Sequence, residues 1–412
     1  IQFRLLNRRK GPAMHSPRMN VLLDRHLRGD RTIWMVALLL AVTSLLAVYS
    51  ASSWMGWRDT GGTFRILVKH ALMLAGGGGI MYAASKLRYT VYSKLSQVFL
   101  GATVALLVLT LLVGSNVNGA SRWLAIPGIG LAFQTSALAR VVIIAYTARV
   151  LARRHGEPWT FREVLLRLML PVGAVAAAIL PANFSTAALL FATCMVLMFI
   201  GGVPMKHLLG ICGVAAGGFA LLLLLSKANP ELLPRLQTWQ ARIESHGGTD
   251  SDANYQVNKA KIAIVHGGFL PNGPGTGTSR NYMPHPESDM IYAFIIEEYG
   301  SIIGGLGVLL LYVILLSRAR RIANRCEKPF GSLVAIGLAL GLVMQALVNM
   351  AVGVNLVPVT GQPLPLVSMG GTSMWFTCLA IGIILSVSRS VYDDPANAKA
   401  GNPHASGAHA AA

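Results

Sequence analysis

In the run "SDMIYAFIIEEYG", Asp289 stands at the mouth of an apolar helix, and Glu297 and Glu298 follow about two turns deeper. An ionisable group below a membrane surface is by default a functional candidate, because hydrocarbon leaves its charge uncompensated. Asp289 also has a plain alternative role, capping the helix N-terminus, which aspartate does well. Spacing alone leaves both open. Asp289 and Glu298 cannot act as a facing acid/base pair: nine helical residues separate them by about 13.5 Å along the axis and about half a turn around it, outside the usual spacing of paired carboxylates. One carboxylate has to act without the other, and the simplest role for Glu297 and Glu298 is structural, in a buried ion pair.

A buried negative charge needs a partner, and Arg140, about two turns into the run "FQTSALARVV", is the expected one. Its guanidinium could hold Glu297 or Glu298, or bind a phosphate through two parallel hydrogen bonds. Arg122 and Trp123 in "NGASRWLAIPG" place a second cation beside a ring that prefers the membrane interface, where an anchoring role is the simpler reading of the tryptophan. Lys261, in "YQVNKAKIAIVH", is a further candidate substrate contact on an amphipathic helix. Asn183, Ser185 and Thr186 form one polar knot, and Asn349, Asn355, Thr360 and Gln362 another. The stretch "PLPLVSMGGTSMWF" sets Ser368, Gly370, Gly371, Thr372 and Ser373 among prolines against the start of a long apolar run. "GPGTGTSR" lacks the GK[ST] and the preceding strand of a phosphate loop, so an ordinary turn is expected there. The four glycines at 76–79 suit close helix packing.

The elements that must position these residues are membrane spans. The 412 residues are 54% hydrophobic and only 12% charged, against about a quarter charged in a soluble globule, and the mean hydropathy is +0.56. Apolar runs able to cross about 30 Å of hydrocarbon fall near 33–50, 66–84, 96–113, 134–152, 165–181, 185–203, 207–226, 290–316, 331–355 and 366–388. The expected fold is all-α and polytopic, with about ten spans. Lys and Arg gather before the first span and after the second, fourth, sixth and eighth, which places both termini in the cytoplasm. A basic arm (1–32), a transmembrane domain (33–390) with a large outer loop (about 227–289), and a disordered tail (391–412) complete the layout. Met14 and Met19 are candidate start sites. The net charge of +19 reads as this topology plus attraction to anionic lipid; without interleaved aromatics it does not read as a nucleic-acid surface. Cys194, Cys212, Cys326 and Cys378 make no CxxC or His-Cys cluster, which supports neither a disulfide framework nor a zinc site. The polar content converges on an outward-facing, membrane-embedded site, as a lipid-linked polar substrate requires.

Four separated runs then carry a resemblance: "GDRTIWMVALLLAVTSLLAVYSASS" (29–53), "NGASRWLAIPGIGLAFQTS" (118–136), "YQVNKAKIAIVHGGFLPNGPGTGTSRNYMPHPESDMIYAFIIEEYG" (255–300) and "NLVPVTGQPLPLVSMGGTSM" (355–374). In order and spacing the chain resembles the SEDS (shape, elongation, division and sporulation) family over nearly its whole length. The "VSMGGTS" signature is more like the cell-division member than the elongation member.

The resemblance implies a peptidoglycan glycosyltransferase that polymerises lipid II at the outer face of the bacterial cytoplasmic membrane, at the septum, with a class B penicillin-binding transpeptidase and other division proteins as partners. It implies a required carboxylate at Asp289, acting as general base while undecaprenyl pyrophosphate leaves with inversion. It also implies that the 363–373 stretch lines the outer end of the substrate cavity. Arg140 and Arg122, or a divalent cation (Mg or Mn), would neutralise the leaving group. The chain departs from the family pattern where Ala137 and Arg140 stand for Glu and Lys, and where Asn183 stands for Asp. Competing readings are a lipid II flippase, an elongation-type polymerase and a non-catalytic division scaffold.

Overall fold

The computed structural model describes residues 28–52, 62–117, 120–125, 132–228, 255–282 and 289–392. The basic arm before residue 28, the tail from 393, and the loop stretches 229–254 and 283–288 lie outside the described residues. Ten apolar helical segments among the described residues follow the runs read from hydropathy. The first four spans are Arg31–Ser52, Gly62–Lys86, Tyr89–Val113 and Thr135–Arg153. In the fifth, Phe161–Glu163, Val164–Met169 and Leu170–Ile179 run on from one another, the middle piece as a π-helix. Phe184–Ile200 and Met205–Ala228 are the sixth and seventh. Ile291–Tyr299, Gly300–Gly307 and Val308–Arg325 build the eighth, again with a central π-helix; Pro329–Gly353 and Thr372–Tyr392 are the ninth and tenth. Seven of the ten are long and apolar enough to cross a membrane on their own.

Three boundaries differ from the sequence reading by six residues or more, each for a local reason. The third span begins at Tyr89 rather than near 96, because its polar first turns are used: Arg149 of the fourth span donates to Ser93 Oγ and Gln97 Oε1, each at 3.0 Å. The eighth continues to Arg325 rather than 316 as a basic, amphipathic end. The tenth begins at Thr372 rather than 366, since Leu366 and Gly371 hold positive φ, at 61° and 55°, and neither fits a right-handed helix. The connection between the third and fourth spans is a small antiparallel sheet in the order β1 (Ser115–Val117), β2 (Ala120–Ala125) and β3 (Ala132–Phe133).

Burial is uneven across the bundle. The fourth, ninth and tenth spans are 56%, 67% and 67% buried over their apolar windows, whereas the second is 11% and the third 22%. Small residues bring the second and tenth spans together. A Cβ added at Gly77 would lie 2.7 Å from Cys378 Sγ, and one at Gly382 would lie 2.7 Å from Ala84 Cβ and from the Met81 carbonyl. Gly78 and Gly79 meet nothing within 4 Å, so half of the glycine run serves packing. All four cysteines are free thiols.

Candidate functional site

Asp289 lies just ahead of the helix Ile291–Tyr299, whose N-cap position falls on Met290 without a side-chain cap hydrogen bond. It is half-buried, and a Cβ on Gly361 would come within 3.6 Å of its Oδ2, so the carboxylate lies against the backbone that follows the ninth span. Asn349 fixes this position. Its Nδ2 donates to the Asp289 carbonyl and to the Gln362 carbonyl, both at 2.8 Å. Gln362 Nε2 donates in turn to Thr186 Oγ1 at 2.7 Å, and Thr186 N–H donates to Asn183 Oδ1 at 3.2 Å. Asn183 thus caps the sixth span and ends a hydrogen-bonded chain that begins at Asp289. Asn183 and Thr186 of one polar knot seen in the sequence are thereby joined to Asn349 and Gln362 of the other.

Glu297 and Glu298 are buried, and their partner is not Arg140. Glu298 Oε1 accepts from Arg280 Nη1 at 2.6 Å and from the Ser50 hydroxyl of the first span. Arg280 Nη2 reaches the Gly275 carbonyl at 2.7 Å. Glu297 Oε1 accepts from the backbone N–H groups of Thr278 and Ser279, both at 3.1 Å, and from Ser279 Oγ at 2.8 Å. The "GPGTGTSR" turn therefore does cradle an anion, and the anion is the protein's own carboxylate. The turn runs on into a short 3₁₀ helix, Ser279–Tyr282. Arg280 sits inside that motif and was missed because charge pairing across a loop leaves no periodic trace in sequence. The helix Tyr255–Gly267 packs over this part of the eighth span, and Gly300, at φ 71°, lets the Phe269 and Leu270 backbone approach where a Cβ would meet it at 2.6 Å.

Arg140 is partly buried in the bundle. Its Nη1 donates to Gln345 Oε1, and its Nε has no partner. Gln345 Nε2 donates to the Pro363 carbonyl at 2.7 Å. Arg140 opens into a cavity of about 40 Å³ whose lining includes Ala137, Gln345, Ser368, Gly370 and Ser373, so the structure brings Arg140 and the 363–373 stretch together while Asp289 joins them through Gln362.

That irregular stretch keeps its backbone satisfied from every side. Tyr312 donates to the Pro365 carbonyl and Ser44 Oγ, at 2.7 Å, to that of Val367; Ser368 Oγ accepts from Leu364 N–H at 2.8 Å. Thr372 Oγ1 donates to the Ala132 carbonyl at 2.8 Å and accepts from Gln134 N–H at 3.1 Å. Non-helical backbone at membrane depth is tolerated on these terms, with protein in place of water as partner. Ser368 and Thr372 are buried braces, whereas Gly370, Gly371 and Ser373 are partly exposed. Trp123 lies beside Gly371, 3.9 Å from where a Cβ would be. Of Arg122 only the backbone, in β2, is described. Lys261 is exposed on its helix. No group of three or more potential metal-ligating side chains occurs among the described residues.

This arrangement defines an all-α, polytopic membrane protein with a buried Arg280–Glu298 pair and with Asp289 just ahead of the helix Ile291–Tyr299, on which the loop helix Tyr255–Gly267 packs. A model described as "Cell cycle protein" (FtsW/RodA/SpoVE) matches residues 30–393, and the chain belongs to that family. A Geobacter protein named "Probable peptidoglycan glycosyltransferase FtsW" is 32% identical over 371 residues, covering 88% of this chain and 98% of the relative. "Stage V sporulation protein E" of Bacillus subtilis is 31% identical over 372 residues, covering 87% and 97%. A chain from a solved structure described as "Structural coordination of polymerization and crosslinking by a peptidoglycan synthase complex" superposes with a TM-score of 0.69 at 25% identity, covering 89% of this chain and 99% of that one. The rod shape determining protein RodA of Thermus thermophilus superposes with a TM-score of 0.64 at 25% identity, covering 90% and 100%.

Proposed function

We propose that the protein is a peptidoglycan glycosyltransferase that polymerises lipid II at the outer face of the cytoplasmic membrane during septal wall synthesis. The names of its relatives support the activity. The observation that carries the site is the division of labour among three acids, one just ahead of a helix and two within it. Glu297 and Glu298 are consumed inside the molecule by the 273–280 loop and Arg280, whereas Asp289 is half-exposed at the helix mouth and fixed there through its backbone.

On this reading the 4-hydroxyl of the acceptor GlcNAc attacks C1 of the donor MurNAc, and Asp289 takes the hydroxyl proton as the new bond forms. Undecaprenyl pyrophosphate leaves as a stable anion with inversion at C1, so no general acid is required. Arg140 meets that anion. It forms no ion pair with a carboxylate among the described residues, and its buried Nε has no hydrogen-bond partner there. Arg122, Lys261, Trp123 and the backbone at Gly370, Gly371 and Ser373 are assigned to substrate contact. A divalent ion would draw its ligands from Asp289 and the substrate phosphates, the usual pattern for magnesium, and would supply further positive charge to the leaving pyrophosphate.

A class B penicillin-binding transpeptidase is the proposed partner, together with other division proteins and anionic lipid. The structural neighbour belongs to a peptidoglycan synthase complex that coordinates polymerization and crosslinking, which supports the first. The test is glycan synthesis from purified lipid II with the transpeptidase present, comparing wild type with Asp289→Ala at equal folded protein. Polymer from wild type alone, with lipid II binding retained by both, is the expected result. Equal polymer from both makes Asp289 a structural residue, and polymer from neither returns the flippase and scaffold readings.

A further inference from the structure

Behind the irregular stretch, in the second span, lies a histidine that the reaction above does not use. His70 is 1% exposed, and its Nε2 lies 2.7 Å from Ser44 Oγ of the first span. Ser44 Oγ lies 2.7 Å from the carbonyl oxygen of Val367. A carbonyl oxygen only accepts, so the one hydroxyl proton of Ser44 is committed to Val367. The ring must therefore supply the proton in the other contact, which makes Nε2 a donor into the remaining lone pairs of Ser44. The donors run one way, from His70 to Ser44 to Val367.

Their target is an unusual piece of backbone. Leu366, immediately before Val367, is one of two non-glycine residues with positive φ among the described residues, at 61°. Such a conformation persists only where its surroundings over-determine it. Here the carbonyls on either side of Leu366, those of Pro365 and Val367, are held by Tyr312 of the eighth span and Ser44 of the first. Leu366 also lines the Arg140 cavity, as do Pro363, Ser368 and Gly370.

We propose that His70 is a positioning residue for the cavity wall: it orients Ser44 so that the 363–373 backbone meets the substrate in a single conformation. The proposal rests on the glycosyltransferase reading for its consequence in catalysis, and on the hydrogen bonds alone for its consequence in the wall. A packing role would be served by any apolar side chain of similar volume. An oriented donor would not; glutamine keeps an N–H at comparable reach and leucine has none.

The experiment uses the full chain with its transpeptidase and compares wild type, His70→Leu, His70→Gln, Ser44→Ala and the double variant His70→Leu/Ser44→Ala. Initial rates are measured against lipid II concentration, and amide hydrogen exchange over 363–373 is measured without substrate. His70→Leu, which removes the hydrogen bond to Ser44, and Ser44→Ala, which removes that bond and the one to Val367, should each raise KM at least about fivefold, leave kcat nearly unchanged, and speed exchange over 363–373. His70→Gln should stay close to wild type, and the double variant should be no worse than Ser44→Ala alone. Loss of folded protein lowers apparent kcat and leaves KM alone, so the split separates positioning from stability. Ser44→Ala, which leaves the imidazole packed, decides the matter if His70→Leu does not fold. An unchanged KM and unchanged exchange in the folded variants overturn the proposal, as does a glutamine variant that behaves like leucine. If wild type makes no polymer, the glycosyltransferase reading fails, and the exchange measurement still decides whether His70 holds the wall.

Discussion

Replacing Arg280 by methionine would strand Glu298, leaving a buried carboxylate with the Ser50 hydroxyl beside it. Removing one partner of a buried pair costs about 3–5 kcal/mol, while replacing both by apolar side chains of similar volume is often close to neutral. Arg280→Met should accordingly lower the thermal unfolding temperature in detergent far more than Arg280→Met combined with Glu298→Leu, and equal losses would show that the charge pair is not what holds this loop. Arg140 behaves differently because its hydrogen-bond partner is a neutral amide, Gln345. Arg140→Met should cost little stability and instead raise KM for lipid II by roughly tenfold, the scale of one lost charge-assisted hydrogen bond. Comparing unfolding temperature with KM in the same preparation separates the two arginines. The sequence pointed to Asp289, Glu297 and Glu298 by their place in an apolar run. It could not pair them, because Arg280 is 18 residues from Glu298 across a loop and Gln345 is 205 residues from Arg140, and no helical spacing records either contact.

Among the elements, the second and tenth spans offer the sharpest contrast. Gly382 faces the Met81 carbonyl and Ala84, so Gly382→Ala should destabilise by about 1–3 kcal/mol through forced separation of the helices. Gly78→Ala should be neutral or slightly stabilising, since alanine is the better helix former by about 1 kcal/mol. Thermal unfolding of the two variants side by side checks the difference, and similar shifts would mean that this helix contact is not what the glycines serve. Hydropathy read the spans well because lipid-facing and core-facing helices are both apolar, so ten runs in sequence became ten helical segments. It failed at their ends for the complementary reason. Ser93 and Gln97 are polar yet helical because Arg149 satisfies them, and Leu364 and Val367 are apolar yet irregular because prolines and positive φ exclude a helix there. The β1–β3 sheet was not anticipated, as its strands are only 3, 6 and 2 residues long and leave little alternation to read.

For the whole molecule, the basic residues at the ends of the second, fourth, sixth and eighth spans predict that both termini lie in the cytoplasm. A reporter fused after residue 392 that works only in the cytoplasm should be active, and one inserted within 229–254 should not; the reverse pattern would invert the site and remove it from the face where the wall is built. The uneven burial described above has a consequence for how such a protein changes over generations. A substitution in the fourth, ninth or tenth span meets close neighbours and, through Arg140, Asn349 or Thr372, the proposed site. A substitution on the outward side of the second or third span meets mostly lipid. The periphery can accordingly drift, and so exchange the helices it touches in the membrane, while the centre stays under selection for one reaction. A single polymerising core can thereby come to serve separate assemblies in one cell without altering its chemistry.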